Sequence, residues 1–319
     1  MDYSVVTTVF NDQNEILQFL DEMCSQDKLP KEIVIADGGG CDSTRNLIKE
    51  YGNLSVVPIK LFEGERLNIA EGFNKAIHEA KTDVVGIVAV GNHYPHHFFS
   101  TLCKTLEEKH NIEAVFSIMK GSKTTKFSEI YSKVFTKEQK LRCPTNHGTL
   151  IYKKSVEELG YFYENFFYAG EDEEFYGHFL ENGKQAFCTD ETWITWEVPK
   201  TQREYYRQCK VYLIGQMQMY SNIVLFRRFA KYGSCLLGTL AACISLFFEE
   251  TRVWGTGILV FIFLFQCFLM SKKGMDIYFF YISTYLYQFF TLVRHGKYLL
   301  KRNKIDKNRR LYKAVKYTL

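Results

Sequence analysis

Two groups of carboxylates and one cluster of imidazoles are the side chains best suited to chemistry in this sequence. Asp37 ends the apolar run Glu32–Ala36 and is followed by Gly38-Gly39-Gly40. A carboxylate there, beside backbone without side chains, can accept hydrogen bonds from a nucleotide base or a ribose, because ligands of open α/β sheets lie beyond the carboxyl ends of the strands. The same residues also fit a plain tight turn, with Asp42 as the N-cap of the next helix, and residue type alone does not choose between the two. Glu171-Asp172-Glu173-Glu174 opens a helix-like stretch; taken by itself it is a solvated acidic first turn, which the helix dipole favours. Asn92, His93, His96 and His97 form the densest imidazole cluster, and either a metal site or a surface loop accounts for it. No Gly-x-Gly-x-x-Gly and no Gly-Lys-Ser/Thr occurs, which removes support for dinucleotide binding and for a P-loop ATPase.

These groups need elements to hold them. Tyr3–Val9 and Glu32–Ala36 read as strands, and between them Asn14–Cys24 repeats apolar residues at Ile16, Leu17, Leu20 and Met23 with a helical period. Ser43–Tyr51 predicts a helix, Ser55–Lys60 a strand, Ile69–Ala80 a helix and Val84–Val90 a strand buried on both faces. The alternation is that of an α/β, doubly wound, Rossmann-like domain. Further on, Ala114–Met119 and Gly148–Tyr152 read as strands, Glu171–Asn182 as a helix, and Lys200–Tyr220 as a helix with a basic and aromatic surface.

The net charge of +4 hides an asymmetry: residues 1–222 carry 24 Lys and Arg against 32 Asp and Glu, whereas residues 223–319 carry 16 against 4. We therefore expect a catalytic domain over 1–222 and a segment over 223–319 that meets an anionic surface. Within it 234–248, 253–270 and 275–293 are apolar, the last rich in Tyr and Phe. A span needs roughly 20 residues. Arg227, Arg228 and Lys231 precede the first run and Lys272 and Lys273 follow the second. The positive-inside rule then predicts a hairpin with both ends cytoplasmic, an interfacial helix at 275–293, and a basic tail at 294–319 on the inner leaflet. Three spans are the alternative. Nine scattered cysteines without a Cys-x-x-Cys pair fit a reducing compartment, and Met-Asp-Tyr-Ser-Val-Val has no signal-peptide character. The basic tail has no interleaved aromatic motif of a nucleic-acid binder, so no nucleic-acid partner is expected.

Five ordered elements resemble family 2 glycosyltransferases of the GT-A fold. Asn11-Asp12-Gln13-Asn14-Glu15 resembles that family's opening after the first strand, Ile33-Val34-Ile35-Ala36-Asp37-Gly38-Gly39 its Asp-Gly-Gly element, and Arg66-Leu67-Asn68-Ile69-Ala70-Glu71-Gly72-Phe73-Asn74 its third nucleotide element. Glu171-Asp172 with Glu174-Phe175 resembles its acceptor-side acidic element, and Arg207–Tyr212 its membrane-near helix. The set covers roughly residues 3–215 and is most similar to bacterial polysaccharide enzymes of the succinoglycan-biosynthesis kind.

The resemblance implies a nucleotide-sugar donor, UDP-sugar favoured, and a lipid-linked glycan acceptor. It implies a cell inner membrane location with the catalytic domain cytoplasmic, inversion at the sugar carbon, and other polysaccharide-assembly enzymes as further partners. It places Thr8, Phe10, Asn11, Asp37, Gly38, Arg66, Asn68, Asn74, Gly91 and Asn92 at the nucleotide. It makes Asp172 the general base, supported by Glu171, and sets His147 beside a sugar. It also implies Mg²⁺ or Mn²⁺ on an Asp-x-Asp after the fourth strand. Here those positions fall on Ala89 and Gly91, or on Gly91 and His93. His93 is then the candidate metal ligand, with Arg66, Lys210 or backbone amides as the alternative counter-charge. The missing acids motivate a second reading, a catalytically degenerate module that binds nucleotide sugar or a partner.

Overall fold

A computed structural model describes residues 1–135, 144–166 and 169–297 of the chain. They form two compact units, Met1–Thr124 with Tyr131–Val198, and Thr125–Ile130 with the residues from Pro199 onward.

The first unit is built on one eight-stranded sheet. Its strands are β1 (Ser4–Val9), β2 (Glu32–Asp37), β3 (Ile59–Phe62), β4 (Val84–Val88), β5 (Asn92–His93), β6 (Ala114–Gly121), β7 (Gly148–Tyr152) and β8 (Ala186–Trp196), in the order β3-β2-β1-β4-β7-β6-β8-β5. β3, β2, β1 and β4 are parallel. β7 then runs antiparallel to both β4 and β6, and β5 antiparallel to β8. The sheet is therefore mixed where the alternation of elements implied a purely wound parallel one. The reversal at β7 matters for function, because it brings the start of that strand to the edge where β1, β2 and β4 end.

Alternation along the strands fills both faces. Val5 and Val9 of β1 with Ile33 and Ile35 of β2 pack under α1 (Ile16–Cys24), α2 (Asp42–Gly52) and α4 (Phe98–Glu108), through Phe19, Leu20, Ile48, Phe98 and Leu102. Val6, Val34, Ala36, Val85 and Ile87 pack on the other face under α3 (Ile69–Glu79) and α7 (Glu171–Glu181), through Phe73, Ile77, Phe175 and Phe179. At about 1.5–3 kcal/mol for each large apolar side chain removed from water, this two-sided core dominates the unit's stability. α3 sits close on β1 because position 72 is glycine: a Cβ there would stand 2.3 Å from Thr8 Oγ1.

Several boundaries differ from expectation. β3 begins at Ile59, four residues late, because Pro58 has no N–H for the ladder and only its carbonyl pairs, accepting from Ile33 N at 2.9 Å. β4 stops at Val88, two residues early. α4, α5 (Lys126–Phe135), α6 (Lys153–Glu158), β5 and β8 were not anticipated.

The second unit carries α8 (Gln202–Met219), α9 (Asn222–Ser245), α10 (Arg252–Lys273) and α11 (Met275–His295). α8 groups with the later helices, so the division falls near 198 where the sequence suggested 222. α8 and α11 meet through aromatic stacks, Tyr206 on Tyr287 at 4.2 Å and Tyr205 on Phe280 at 5.1 Å. The apolar windows lie inside longer helices, and α9 takes in Arg227. Among the described residues no helix is long and apolar enough to cross a membrane, so the expected C-terminal membrane helices are present as helices only. Most of the basic tail, from 298, lies outside the described residues.

Candidate active site

The carboxyl edge of the sheet is organised first by the turn after β2. Asp37 is fully buried; its Oδ1 accepts from Gly40 N at 3.0 Å and its Oδ2 meets Arg45 Nη1 at 3.1 Å. Arg45 also pairs with Asp42. Asn11, at φ +62°, follows β1 and accepts from Cys41 N at 2.7 Å through its side-chain oxygen. Gly39 takes φ +85°, and a Cβ on Gly40 would stand 2.8 Å from Asn11 N, so glycine is required at both. Asp37 thus shapes the turn from inside, and what the turn presents outward is its backbone, Phe10 (59% exposed) and the exposed Arg66. Thr8 Oγ1 donates to Ala36 O at 3.0 Å and ties β1 to β2. Gly38 packs under the Leu67 carbonyl, which a Cβ would approach to 3.0 Å.

Asn68 and Asn74, expected at the nucleotide, act as braces. Asn68 caps α3 in a capping box with Glu71, and its Nδ2 donates to Glu164 O at 2.8 Å. Asn74 mimics a peptide group: Nδ2 donates to Phe162 O and to Glu164 Oε1, both at 2.8 Å, and Oδ1 accepts from Phe162 N at 2.9 Å. Both ends of each amide are occupied by protein. Asn74→Ala should lower stability by about 1–3 kcal/mol while leaving nucleotide affinity unchanged, which urea unfolding beside calorimetric titration would read; an affinity loss at unchanged stability would restore the nucleotide role.

The loop after β4 carries no carboxylate. Asn92, buried, donates through Nδ2 to Ala89 O at 3.0 Å and to His147 Nδ1 at 3.1 Å. Gly91 takes φ +85°. Tyr94 accepts from Ala89 N at 3.1 Å and donates to His147 O at 2.6 Å. The loop is therefore clamped onto His147, whose ring also stands 5.6 Å from that of Trp196. Burial pushes the His147 imidazole down to about 4, so the ring is neutral near pH 7. His93, the expected metal ligand, is engaged elsewhere: its Nδ1 lies 3.0 Å from Glu22 Oε1 and its Nε2 4.0 Å from Glu197 Oε1.

β7 completes the edge. Val88 is opposite Gly148, so Asn146 and His147 lie where β4 ends. Asn146 Nδ2 donates to Glu171 Oε1 at 3.4 Å, which links this edge to the first turn of α7. Glu171, 7% exposed, also accepts from Gly170 N at 3.0 Å. Burial, with the Asp172 charge beside it, raises its carboxyl to about 7. Asp172 is half-buried and accepts from Glu173 N at 2.7 Å, and burial raises its pKa as well. A solvated acidic turn would have exposed all four carboxylates, whereas Glu171, Glu173 and Glu174 are buried. From β2 to β7 is three strand spacings, about 14 Å, so the glycine turn and the acid pair flank one stretch of a single edge.

A divalent cation is poorly served here. Mg²⁺ and Mn²⁺ want oxygen, usually one or two ionised carboxylates with substrate phosphates. The loop after β4 offers Ala89, Val90 and Gly91, the Asn92 amide is occupied, and Glu171 is held toward its neutral form. Among the described residues no three His, Cys, Asp or Glu side chains come together in a metal-binding group. Sequence reasoning missed Arg45, and it missed Cys41. The Ser43 hydroxyl, and then Thr44, lower the Cys41 thiol to about 7. An Asp followed eight positions later by Arg across a helix start was the only available signal for Arg45.

A mixed sheet whose carboxyl edge sets a glycine turn opposite a desolvated acid pair is a GT-A-like arrangement. The comparisons agree: residues 4–162 match the family described as Glycosyl transferase family 2, so the domain is that of a glycosyltransferase. The fold is similar to the mannosyltransferase PcManGT from Pyrobaculum calidifontis in complex with GDP-Man and Mn²⁺, with TM-score 0.59 and 14% identity over 92% of this chain and 86% of that one. It is similar to S. aureus TarS 1-349 with UDP, TM-score 0.53 and 16% identity over 93% and 92%, and to the same fragment with UDP-GlcNAc, TM-score 0.51 and 16% identity over 67% and 66%. The chain spans 40% of a longer S. aureus TarS chain. At these identities the likeness is one of fold. No curated protein matches the sequence.

Proposed function

We propose that this chain is a membrane-associated inverting glycosyltransferase. It moves a sugar from a nucleoside diphosphate, UDP favoured, to a lipid-linked oligosaccharide at the cytoplasmic face of the cell inner membrane, in the synthesis of a surface polysaccharide of the succinoglycan-like branch. The observation that carries the reading is the pair Glu171 and Asp172, desolvated and tied through Asn146 to the strand edge opposite the Asp37 turn. A sugar hydroxyl is a weak nucleophile until its proton has an acceptor, and a carboxylate raised toward neutral pH is the better acceptor. Asp172 takes that proton as the hydroxyl oxygen bonds to the sugar C1. The bond from C1 to the phosphate oxygen breaks, and the nucleoside diphosphate leaves with the electron pair.

Membrane association draws on the second unit. Val253, Trp254, Phe261, Leu264 and Phe268 of α10 are exposed, and the charge asymmetry suits an anionic leaflet. Tethering concentrates the enzyme with a lipid-bound acceptor. The purified chain should float with vesicles containing anionic lipid, and less so in high salt as surface electrostatics are screened; equal recovery with neutral vesicles would remove the charge argument.

Incubation with a panel of labelled UDP- and GDP-sugars and a membrane extract tests the reaction. Label should pass to an organic-extractable lipid. Binding of a nucleotide sugar with no transfer or hydrolysis on any donor would favour the degenerate module, the reading that the carboxylate-free loop after β4 supports.

A further inference from the structure

We propose that His147 stands in for a divalent cation at the donor, its Nε2–H donating to the diphosphate, so that nucleotide binding is independent of metal. The inference rests on the glycosyltransferase reading of the same edge and specifies how that edge holds its substrate.

The tautomer follows from Asn92. Its side-chain NH₂ donates one hydrogen to Ala89 O at 3.0 Å and the other to His147 Nδ1 at 3.1 Å. The contact with a carbonyl fixes which end of the amide is NH₂, so His147 Nδ1 must accept, and the neutral ring carries its proton on Nε2. No described residue accepts from that Nε2–H. The Asn92 contact and the Trp196 ring, 5.6 Å off, hold the imidazole, while Tyr94 fixes the His147 backbone through its carbonyl at 2.6 Å.

The position is the one where a diphosphate needs a partner. Gly148 is opposite Val88, so His147 lies where β4 ends, on the sheet edge that also carries the glycine turn after β2, and its neighbour Asn146 reaches Glu171 of the acid pair. Acids here would hold a cation against the phosphates. Their places are Ala89 and Gly91, and the residue clamped to that loop by Asn92 and Tyr94 carries an N–H donor instead. A neutral donor avoids the cost of burying a cation without a paired anion whenever the nucleotide is absent. When the nucleotide is present, a hydrogen bond to a charged oxygen is worth more than one to a neutral group.

Calorimetric titration with UDP, GDP and the corresponding nucleosides tests this, in excess EDTA and in excess Mg²⁺ or Mn²⁺. The dissociation constant of the preferred diphosphate should be the same under both conditions. His147→Ala should weaken that diphosphate about tenfold or more while the matching nucleoside binds as before. His147→Gln, which keeps an N–H donor, should recover part of the loss. A merely structural His147 would cost nucleoside and diphosphate alike, and that result overturns the proposal. So does loss of diphosphate binding in EDTA, or a His147→Ala variant that binds diphosphate like wild type. If wild type binds neither nucleoside nor diphosphate under any condition, the nucleotide-sugar reading fails with it, whereas nucleoside and diphosphate binding with strict metal dependence overturns the His147 role alone.

Discussion

Asp172→Asn should lower kcat for sugar transfer by about 10²–10⁴ and leave the affinity for nucleotide within about threefold. The amide is nearly isosteric, and its carbonyl oxygen can still accept from Glu173 N, the contact that Asp172 Oδ1 makes at 2.7 Å. The first turn of α7 therefore persists, and only the ability to take a proton is lost. An effect confined to kcat identifies a group acting in the transition state, whereas a rise in KM alone would mean that Asp172 binds acceptor. The wild-type rate should also fall as pH drops, because burial raises both carboxyls and the protonated acid cannot accept the hydroxyl proton. Because the two carboxyls titrate together, the acid limb reports the pair, not either residue. Transfer at the wild-type rate by Asp172→Asn would remove this residue from the mechanism.

The domain's frame was legible because its residues repeat with the periods of the elements they form. Val5 and Val9 against Val6, and Ile33 and Ile35 against Val34 and Ala36, assign the two faces of the sheet. β7 appears at its predicted bounds, Gly148–Tyr152. α4 could have been read as well, since Phe98, Phe99, Leu102, Cys103 and Leu106 recur at helical spacing. Strand direction could not. Nothing in Gly148–Tyr152 states that it runs against Val84–Val88, because direction is set by the connection and the face available for packing. β8 escaped for another reason: its register shifts opposite Ser117 and Ile118, and exposed Asp190 and Glu191 interrupt the alternation.

The site was legible as a set of places more than as a set of roles. Asn68 and Asn74 lie on the nucleotide side of the motif, yet an amide serves equally well as ligand donor, helix cap and peptide mimic, and the choice depends on residues about 90 positions away at Phe162 and Glu164. Asp37 followed by glycines left turn and ligand contact open. The turn claims both of its carboxylate oxygens, and Arg45 supplies the neutralising charge. The α7 acids were ambiguous for the opposite reason: only burial separates a solvated helix start from a proton-accepting pair, and burial is a property of the surrounding fold.

That burial makes Glu171→Gln a test of the pair through stability. Glu171 is 7% exposed, and its carboxyl is raised from its ordinary value to about 7, first by burial and then by the Asp172 charge. A folded-state pKa above the unfolded one means that the folded chain keeps a proton which the unfolded chain releases. Stability attributable to this group is then full below the unfolded value near 4.5, declines as pH rises toward 7, and stays reduced above it. Glutamine has no proton to lose. It keeps an oxygen for Gly170 N, and its NH₂ takes the place of the oxygen that accepts from Asn146 Nδ2, so the Asn146 amide turns over to present Oδ1, a buried acceptor without a hydrogen-bond partner among the described residues. Glu171→Gln should therefore match wild type in urea near pH 4 and exceed it by about 2–3 kcal/mol near pH 8. An equal difference at both pH values would show that size or packing, and not the buried charge, sets the cost at this position. A variant less stable than wild type near pH 8 would show that the ionised carboxylate is stabilised there and that the acid pair is not desolvated.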